Sequence, residues 1–195
     1  MPKNPVIDFT NLKYIFLDRD GVLNRKAPPA QYITRPEELV ILPGVEEAVA
    51  ALNRAGRKVI VVTNQRGIAL GLYSHDDLDR IHDKLRAQLA AHGGHLDAIY
   101  VCPHEAGQCN CRKPLTGLFE RAYRDFPDAT PESSVMVGDS LRDIEAGLRA
   151  GMATVLITGE STNSADDLRA RSLAQLLIPS LSELVQRHFS SPIGD

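Results

Sequence analysis

The chain of 195 residues has no tryptophan, few aromatic residues and no long apolar run. No stretch approaches the roughly 20 apolar residues that a helix needs to cross a bilayer. Basic and acidic residues are mixed along the chain and the net charge is −3, which argues against a basic surface for nucleic acid or membrane. The N-terminus lacks the apolar segment of a secretion signal. We therefore expect a cytoplasmic protein that binds neither nucleic acid nor membrane.

Cysteine is also scarce, and all of it falls within one short stretch: Cys102, Cys109 and Cys111. An odd, clustered set argues against a disulfide framework and for a reducing compartment. Because His104 lies among them, the three thiolates and one imidazole match a closed tetrahedral zinc site. Incidental thiols in a loop are the alternative. The pattern predicts a structural zinc ion that pins the loop before Arg112 and Lys113.

Short apolar runs rich in β-branched residues alternate with amphipathic helical patterns. Runs of this kind suit strands buried on both faces of a parallel sheet. Strands are predicted at Tyr14–Asp18, Lys58–Thr63, Ala98–Cys102, Ser134–Asp139 and Ala153–Thr158, with a weaker candidate at Ala174–Ile178. Helices are predicted at Gly44–Ala55, from Ser74 to Gly93, at Pro114–Phe126, at Leu141–Ala150, and after a cap formed by Ser180 and Glu183.

This alternation predicts an α/β three-layer sandwich with a doubly wound, Rossmann-like parallel sheet, in a single domain over residues 1–195. Ligands bind outside the carboxyl ends of the strands in such sheets. Four of the predicted strands have a polar residue at their carboxyl end: Asp18, Thr63, Cys102 and Asp139. The remaining histidines are predicted to lie on surface helices or loops: His75, His82, His92, His95 and His188.

The first polar motif, at residues 18–24, has the sequence D-R-D-G-V-L-N. Asp18 and Asp20 would point the same way on an ideal strand, and Gly21 then lets the chain leave it sharply. A solvated acidic turn is one alternative. A calcium loop is another, but it needs a third acid where Val22 stands.

Three further motifs carry groups that suit phosphate or a cation. Residues 63–67, T-N-Q-R-G, offer a hydroxyl and amide donors to phosphoryl oxygens, although strands often end in such turns. Arg112 and Lys113 precede a predicted helix start, where the dipole favours anions; a solvated basic pair is the alternative. Asp139, in G-D-S-L-R-D at residues 138–143, could hold a hard cation.

In this order the four motifs resemble those of the haloacid dehalogenase-like (HAD-like) phosphatases. That superfamily shows D-x-D-G after its first strand, a Ser or Thr after its second, a Lys at a helix start and G-D-x-x-x-D near its fourth. The resemblance covers roughly Tyr14 to Gly159, and every motif position is filled. It implies a phosphatase that uses an aspartate nucleophile and Mg²⁺.

The resemblance also implies roles for individual residues. Asp18 is the expected nucleophile, Asp20 the general acid and base, and Asp139 a magnesium ligand together with Asp18 and the backbone carbonyl of Asp20. Thr63 and Lys113 are expected to hold phosphoryl oxygens. The further substrate-binding residues predicted are Asn24, Asn64, Gln65, Arg66 and Arg112.

The cysteine cluster narrows the resemblance to the histidinol-phosphatase-like branch, which shares C-P-H followed by C-x-C-R-K-P. The short spacing between His104 and Cys109 is similar to the histidinol type, whereas T-N-Q-R-G-I-A-L-G at residues 63–71 resembles the heptose bisphosphate type. We expect a monomer without a large cap domain. Its expected substrate is a small phosphorylated sugar, heptose 1,7-bisphosphate, from which it removes the C7 phosphate. Histidinol phosphate or another small sugar phosphate is the alternative. An inactive, zinc-stabilised phosphate-binding module is the alternative from a different class.

Overall fold

The computed structural model describes residues 6–159 and 164–189, and within them the named strands join one six-stranded sheet. The strands are β1 (Tyr14–Leu17), β2 (Lys58–Asn64), β3 (Ala98–Cys102), β4 (Ser134–Gly138), β5 (Ala153–Ile157) and β6 (Leu176–Ile178). Their order is β3-β2-β1-β4-β5-β6, and all neighbours are parallel. The strand order reverses at β1, which places the ligand crevice of a doubly wound sheet between β1 and β4. The predicted fold class is confirmed.

Helices cover both faces of this sheet. They are α1 (Val45–Arg54), α2 (His75–Ala91), α3 (Gly117–Asp125), α4 (Leu141–Arg149), α5 (Ala165–Leu173) and α6 (Leu181–His188). Alternate strand residues face opposite layers, as the pleat requires. Ile15 and Leu17 pack in a core with α1, α2 and α6, whereas Phe16 packs with Phe119 of α3 on the other side. None of the helices in the described ranges is long and apolar enough to cross a membrane.

Two helices differ from the sequence prediction. Helix α3, predicted from Pro114, begins at Gly117. The preceding residues instead form a turn in which the amide of Leu115 donates to the carbonyl of Arg112 at 2.9 Å. Helix α5 was not predicted, because Ala170 is its one buried residue and it therefore shows little amphipathic pattern. The start of α2, by contrast, agrees with the prediction from Ser74: the Ser74 side chain caps the helix and forms a capping box with Asp77.

Candidate active site

A cleft of about 390 Å³ opens at the carboxyl ends of the strands. It is lined by residues 26–33 and by nine of the residues predicted for the site: Asp18, Asp20, Thr63, Asn64, Gln65, Arg66, Arg112, Lys113 and Asp139. Asn24 is the predicted substrate-binding residue outside this lining, and its side chain is fully buried. Residues from five separate segments therefore converge because parallel strands end at the same edge of the sheet.

A buried lysine lies beside the first aspartate. The Nζ atom of Lys113 lies 2.9 Å from Asp18 Oδ1 and 2.6 Å from Asp143 Oδ1, and it donates to the carbonyl of Val62 at 2.8 Å. Burial alone lowers the pKa of Lys113, but the Asp143 and Asp18 carboxylates outweigh it and raise that pKa above its usual range. The lysine is therefore a fixed cation directly beside Asp18.

Asp143 connects this lysine to the start of α4. Its second oxygen, Oδ2, accepts hydrogen bonds from the hydroxyl of Ser140 at 2.6 Å and from the Ser140 amide at 3.1 Å. Asp143 therefore contacts both Lys113 and the first turn of α4. The structure shows that each carboxylate oxygen makes one of these contacts.

We expect Asp143→Asn to lower kcat by about 10- to 100-fold and to lower thermal stability, because the amide oxygen can keep the cap but the amide NH2 group then faces the Lys113 ammonium in place of a carboxylate oxygen. Phosphate release from p-nitrophenyl phosphate and a thermal unfolding curve measure the two effects. Glu145→Gln on the same helix is the control, since Glu145 pairs with surface arginines. Full activity in Asp143→Asn would show that Lys113 does not need this carboxylate.

The acidic side chains include a set suited to a hard cation. Carboxylate oxygens of Asp18, Asp139 and Asp143 lie within 4.8 Å of one another. Since both oxygens of Asp143 are engaged, Asp18 and Asp139 remain available. Asp139 Oδ1 is buried without a hydrogen-bond partner among the described residues, and Oδ2 pairs with Lys26. Gly21 makes room for this arrangement, because a Cβ there would lie 1.8 Å from Asp139 Oδ2.

Burial of these two carboxyls shifts their titration. Burial raises the pKa of Asp18 to about 6, against the effect of Lys113, and raises the pKa of Asp139 to about 7, against the effect of Lys26. An unpartnered buried oxygen between acids of raised pKa is the environment that a divalent cation stabilises. Hard oxygen ligands of this kind fit Mg²⁺.

The Asp20 carboxylate is held by donors from three side chains. Arg19 donates to both of its oxygens at 2.9 Å, Asn24 Nδ2 donates to Oδ1 at 2.9 Å and Gln65 Nε2 donates to Oδ2 at 3.0 Å. Burial raises the pKa of Asp20, but the Arg19 charge and these hydrogen bonds outweigh it and hold the pKa below its ordinary value. The side chain of Asp20 is thus fixed beside Asp18.

Two of the predicted substrate-binding amides use their polar atoms within the protein. Asn64 accepts from the amide of Lys113 at 3.0 Å and donates to its carbonyl at 3.1 Å. Gln65 also donates to Thr63 Oγ1 at 2.8 Å and accepts from the hydroxyl of Tyr73 at 2.6 Å. These contacts fix Lys113 and Thr63 rather than leave the amides pointing into the cleft.

The predicted arginines both contact the cysteine-containing loop. Arg66 donates twice to Glu105 Oε1, at 3.0 and 2.8 Å, and Arg112 donates to the carbonyl of His104 at 3.2 Å. The exposed Arg142 also lines the cleft. Arg142 is not among the residues predicted for the site, because a single arginine near a helix start has no distinguishing sequence signal.

The three cysteines and His104 form one compact cluster. The Sγ atom of Cys109 lies 3.6 Å from that of Cys102 and 3.2 Å from that of Cys111, and His104 Nδ1 lies 3.4 Å from Cys111 Sγ. Tetrahedral zinc with Zn–S distances of about 2.3 Å places its ligands roughly 3.7 Å apart. The donor set and its spacing therefore fit a zinc ion.

Together, the fold and cleft define a class of hydrolase: a doubly wound phosphatase with two aspartates after β1, a buried lysine and a second acidic motif after β4. The HAD-hydrolase-like family model matches residues 110–184. A D-glycero-beta-D-manno-heptose-1,7-bisphosphate 7-phosphatase of Bordetella bronchiseptica is 42% identical over 75% of this chain and 80% of its own length. A D-glycero-alpha-D-manno-heptose-1,7-bisphosphate 7-phosphatase of Mycobacterium bovis is 39% identical over 84% of this chain and 89% of its own.

Structural similarity agrees with these sequence matches. A crystal structure of D,D-heptose 1,7-bisphosphate phosphatase from B. bronchiseptica, complexed with magnesium and phosphate, has a TM-score of 0.79 and 34% identity. The match covers 90% of this chain and 97% of that chain. The chain therefore belongs to the HAD-like phosphatases, in one family with these relatives, and is a phosphoric monoester hydrolase. The resemblance found in the sequence motifs is confirmed.

Proposed function

We propose that this phosphatase removes the C7 phosphate of D-glycero-D-manno-heptose 1,7-bisphosphate, as a single-domain, cytoplasmic monomer that uses Mg²⁺ and a structural zinc ion. The substrate assignment rests on the 42% identity to a heptose bisphosphate phosphatase over 80% of its length. In addition, every motif position of the site carries the residue type that the family motif requires. The unpartnered Asp139 oxygen and the cysteine cluster support the two metals.

In this proposal Asp18 attacks the phosphorus atom while the bond to the C7 oxygen breaks, which yields an aspartyl-phosphate. Asp20 gives a proton to the departing oxygen and later takes one from the water that hydrolyses the intermediate. Lys113 and Thr63 hold the phosphoryl oxygens as charge moves onto them. Asp18, Asp139 and the backbone carbonyl of Asp20 would hold Mg²⁺, which would supply the charge neutralisation that an anionic nucleophile needs against a phosphate dianion.

A basic rim lies to one side of this reaction centre. Arg66, Arg112 and Arg142 line both the cleft and an adjoining hollow of about 450 Å³. A second phosphate, away from the reacting one, would meet these cations. Histidinol phosphate instead carries a cationic amine, which such a rim repels.

We expect kcat/KM for heptose 1,7-bisphosphate to exceed that for histidinol phosphate by at least about tenfold, or roughly 1.4 kcal/mol. Arg112→Ala should reduce this preference more than it reduces turnover of p-nitrophenyl phosphate, because the aryl ester has no second phosphate. Lys58→Ala, which removes an exposed cation paired with Asp97, is the control. Equal or better turnover of histidinol phosphate would contradict the proposed substrate. An absence of turnover with every ester would favour an inactive phosphate-binding module.

We also expect Mg²⁺ binding to weaken as the pH falls. The pKa of Asp18 is raised to about 6 and that of Asp139 to about 7, and both must lose their protons to bind a cation. Lowering the pH from about 8 to about 6 should therefore raise the Mg²⁺ dissociation constant by about tenfold or more. Calorimetric titration with Mg²⁺ measures this without turnover. A dissociation constant that stays level over this range would contradict the proposed ligands.

A further inference from the structure

The arginine between the two aspartates is fully buried. Arg19 is 1% exposed and is the largest of the fully buried side chains in the described residues. Burying a guanidinium is costly unless every donor finds a partner. Its Nε and Nη2 atoms donate to the Asp20 carboxylate, and its Nη1 atom lies 3.3 Å from His82 Nε2. The two ends of the guanidinium therefore hold different parts of the protein.

His82 was predicted to lie on the surface of helix α2, but it is 3% exposed. Burial, together with the positive charges of Arg19 and Arg86, lowers the pKa of His82 to about 3. The imidazole is therefore neutral at physiological pH and can accept a hydrogen bond from the arginine. The contact joins residues 63 positions apart, one after β1 and one on α2. It gives helix α2 a direct contact with the residues of the first motif.

Among the donors to the Asp20 carboxylate, Arg19 is the one that contacts both oxygens. A guanidinium that contacts both oxygens fixes the plane of a carboxylate, which a single point charge does not. His82 holds the opposite end of that guanidinium. Because proton transfer requires the carboxylate within hydrogen-bond reach of the departing oxygen, a small rotation of the carboxylate slows it.

We propose that Arg19 and His82 are positioning residues for Asp20: His82 fixes the Arg19 guanidinium, and Arg19 fixes the carboxylate that protonates the leaving group. This inference rests on the proposed role of Asp20 as proton donor. It predicts a defect that depends on the leaving group. Phenolate needs protonation on departure far more than p-nitrophenolate does, so phenyl phosphate reports on the proton transfer and p-nitrophenyl phosphate serves as its internal reference.

The test compares the kcat/KM values of these two esters. We use kcat/KM because it reports on the first phosphoryl transfer and not on hydrolysis of the intermediate. We expect His82→Met, which keeps the volume but replaces the ring nitrogen with a weak sulfur acceptor, to lose about tenfold more activity on phenyl phosphate than on p-nitrophenyl phosphate. His82→Gln, whose carbonyl oxygen restores an acceptor, should recover most of that loss. His75→Met, at an exposed position of the same helix, should leave both values unchanged.

Arg19→Lys provides a second, independent variant, since it keeps the charge but loses the two-point contact, and it should show the same selective loss. Thermal unfolding verifies that each protein is folded. An equal loss on both esters, or none, in folded His82→Met and Arg19→Lys would overturn the inference; if one variant does not fold, the other decides. Asp20→Asn distinguishes the proton-donor role of Asp20 from the positioning role of Arg19 and His82. Without a leaving-group effect in Asp20→Asn, the proposed proton donor is wrong, whereas an effect there but not in the other variants refutes the positioning role alone.

Discussion

Replacing Asp18 with asparagine is expected to lower kcat by at least about 10⁴-fold, because an amide cannot attack phosphorus. The same change should leave the fold intact. Asp18 and Asp143 both contact the Lys113 ammonium, so the buried lysine keeps one carboxylate partner, at 2.6 Å, in the variant. Removing a buried carboxyl whose pKa is raised to about 6 also removes a charge that burial disfavours at neutral pH.

Phosphate release from p-nitrophenyl phosphate, measured on a homogeneous preparation, reports the activity, and thermal unfolding reports the fold. Asp83→Asn is a suitable control because this aspartate is exposed on α2. Substantial turnover by folded Asp18→Asn would remove Asp18 from the role of nucleophile. A loss of activity that accompanies unfolding would instead show that one carboxylate is insufficient for Lys113.

Cys109→Ser is expected to lose the zinc ion and to lower the melting temperature by at least about 10 °C, since structural zinc sites contribute several kcal/mol or more to folding. Elemental analysis of protein purified without added metal should find one zinc per chain in the wild type and little in the variant. Ala106→Ser, at an exposed position of the same loop that carries no metal ligand, should retain the metal.

The cysteine-containing loop also connects to the reaction centre. The amide of Gln65 donates to the carbonyl of Cys102 at 2.7 Å, and the amide of Gly117 donates to that of Asn110 at 3.0 Å. Lys113 lies between these two anchors. Loss of zinc should therefore lower kcat as well as stability. Unchanged catalysis after complete zinc removal would mean that the metal does not position Arg112 and Lys113.

Local sequence was sufficient for most of the fold. The strands are predicted because short, near-continuous apolar runs suit strands covered on both faces. The predicted start of α2 at Ser74 is confirmed by its capping box. Helix α5 buries a single alanine and gave no periodic signal. The predicted start of α3 is wrong because Pro114 is a common first-turn residue, whereas the chain there turns back toward the cysteine-containing loop. Asn64, 49 positions away, hydrogen-bonds the main chain of Lys113 just before this turn, and local propensity does not describe such a contact.

The sequence by itself determined the chemical groups of the site: two aspartates after a buried strand, a hydroxyl after the next, a lysine after the cysteines and a second acidic motif. Only the tertiary structure decided which polar groups point into the cleft and which point inward. Asn64 turns to the main chain of Lys113, 49 positions away, and Arg19 turns to His82, 63 positions away. The physical reason is that a buried polar group must find its partner in space. Those partners come from other strands and helices, so a short motif cannot reveal them.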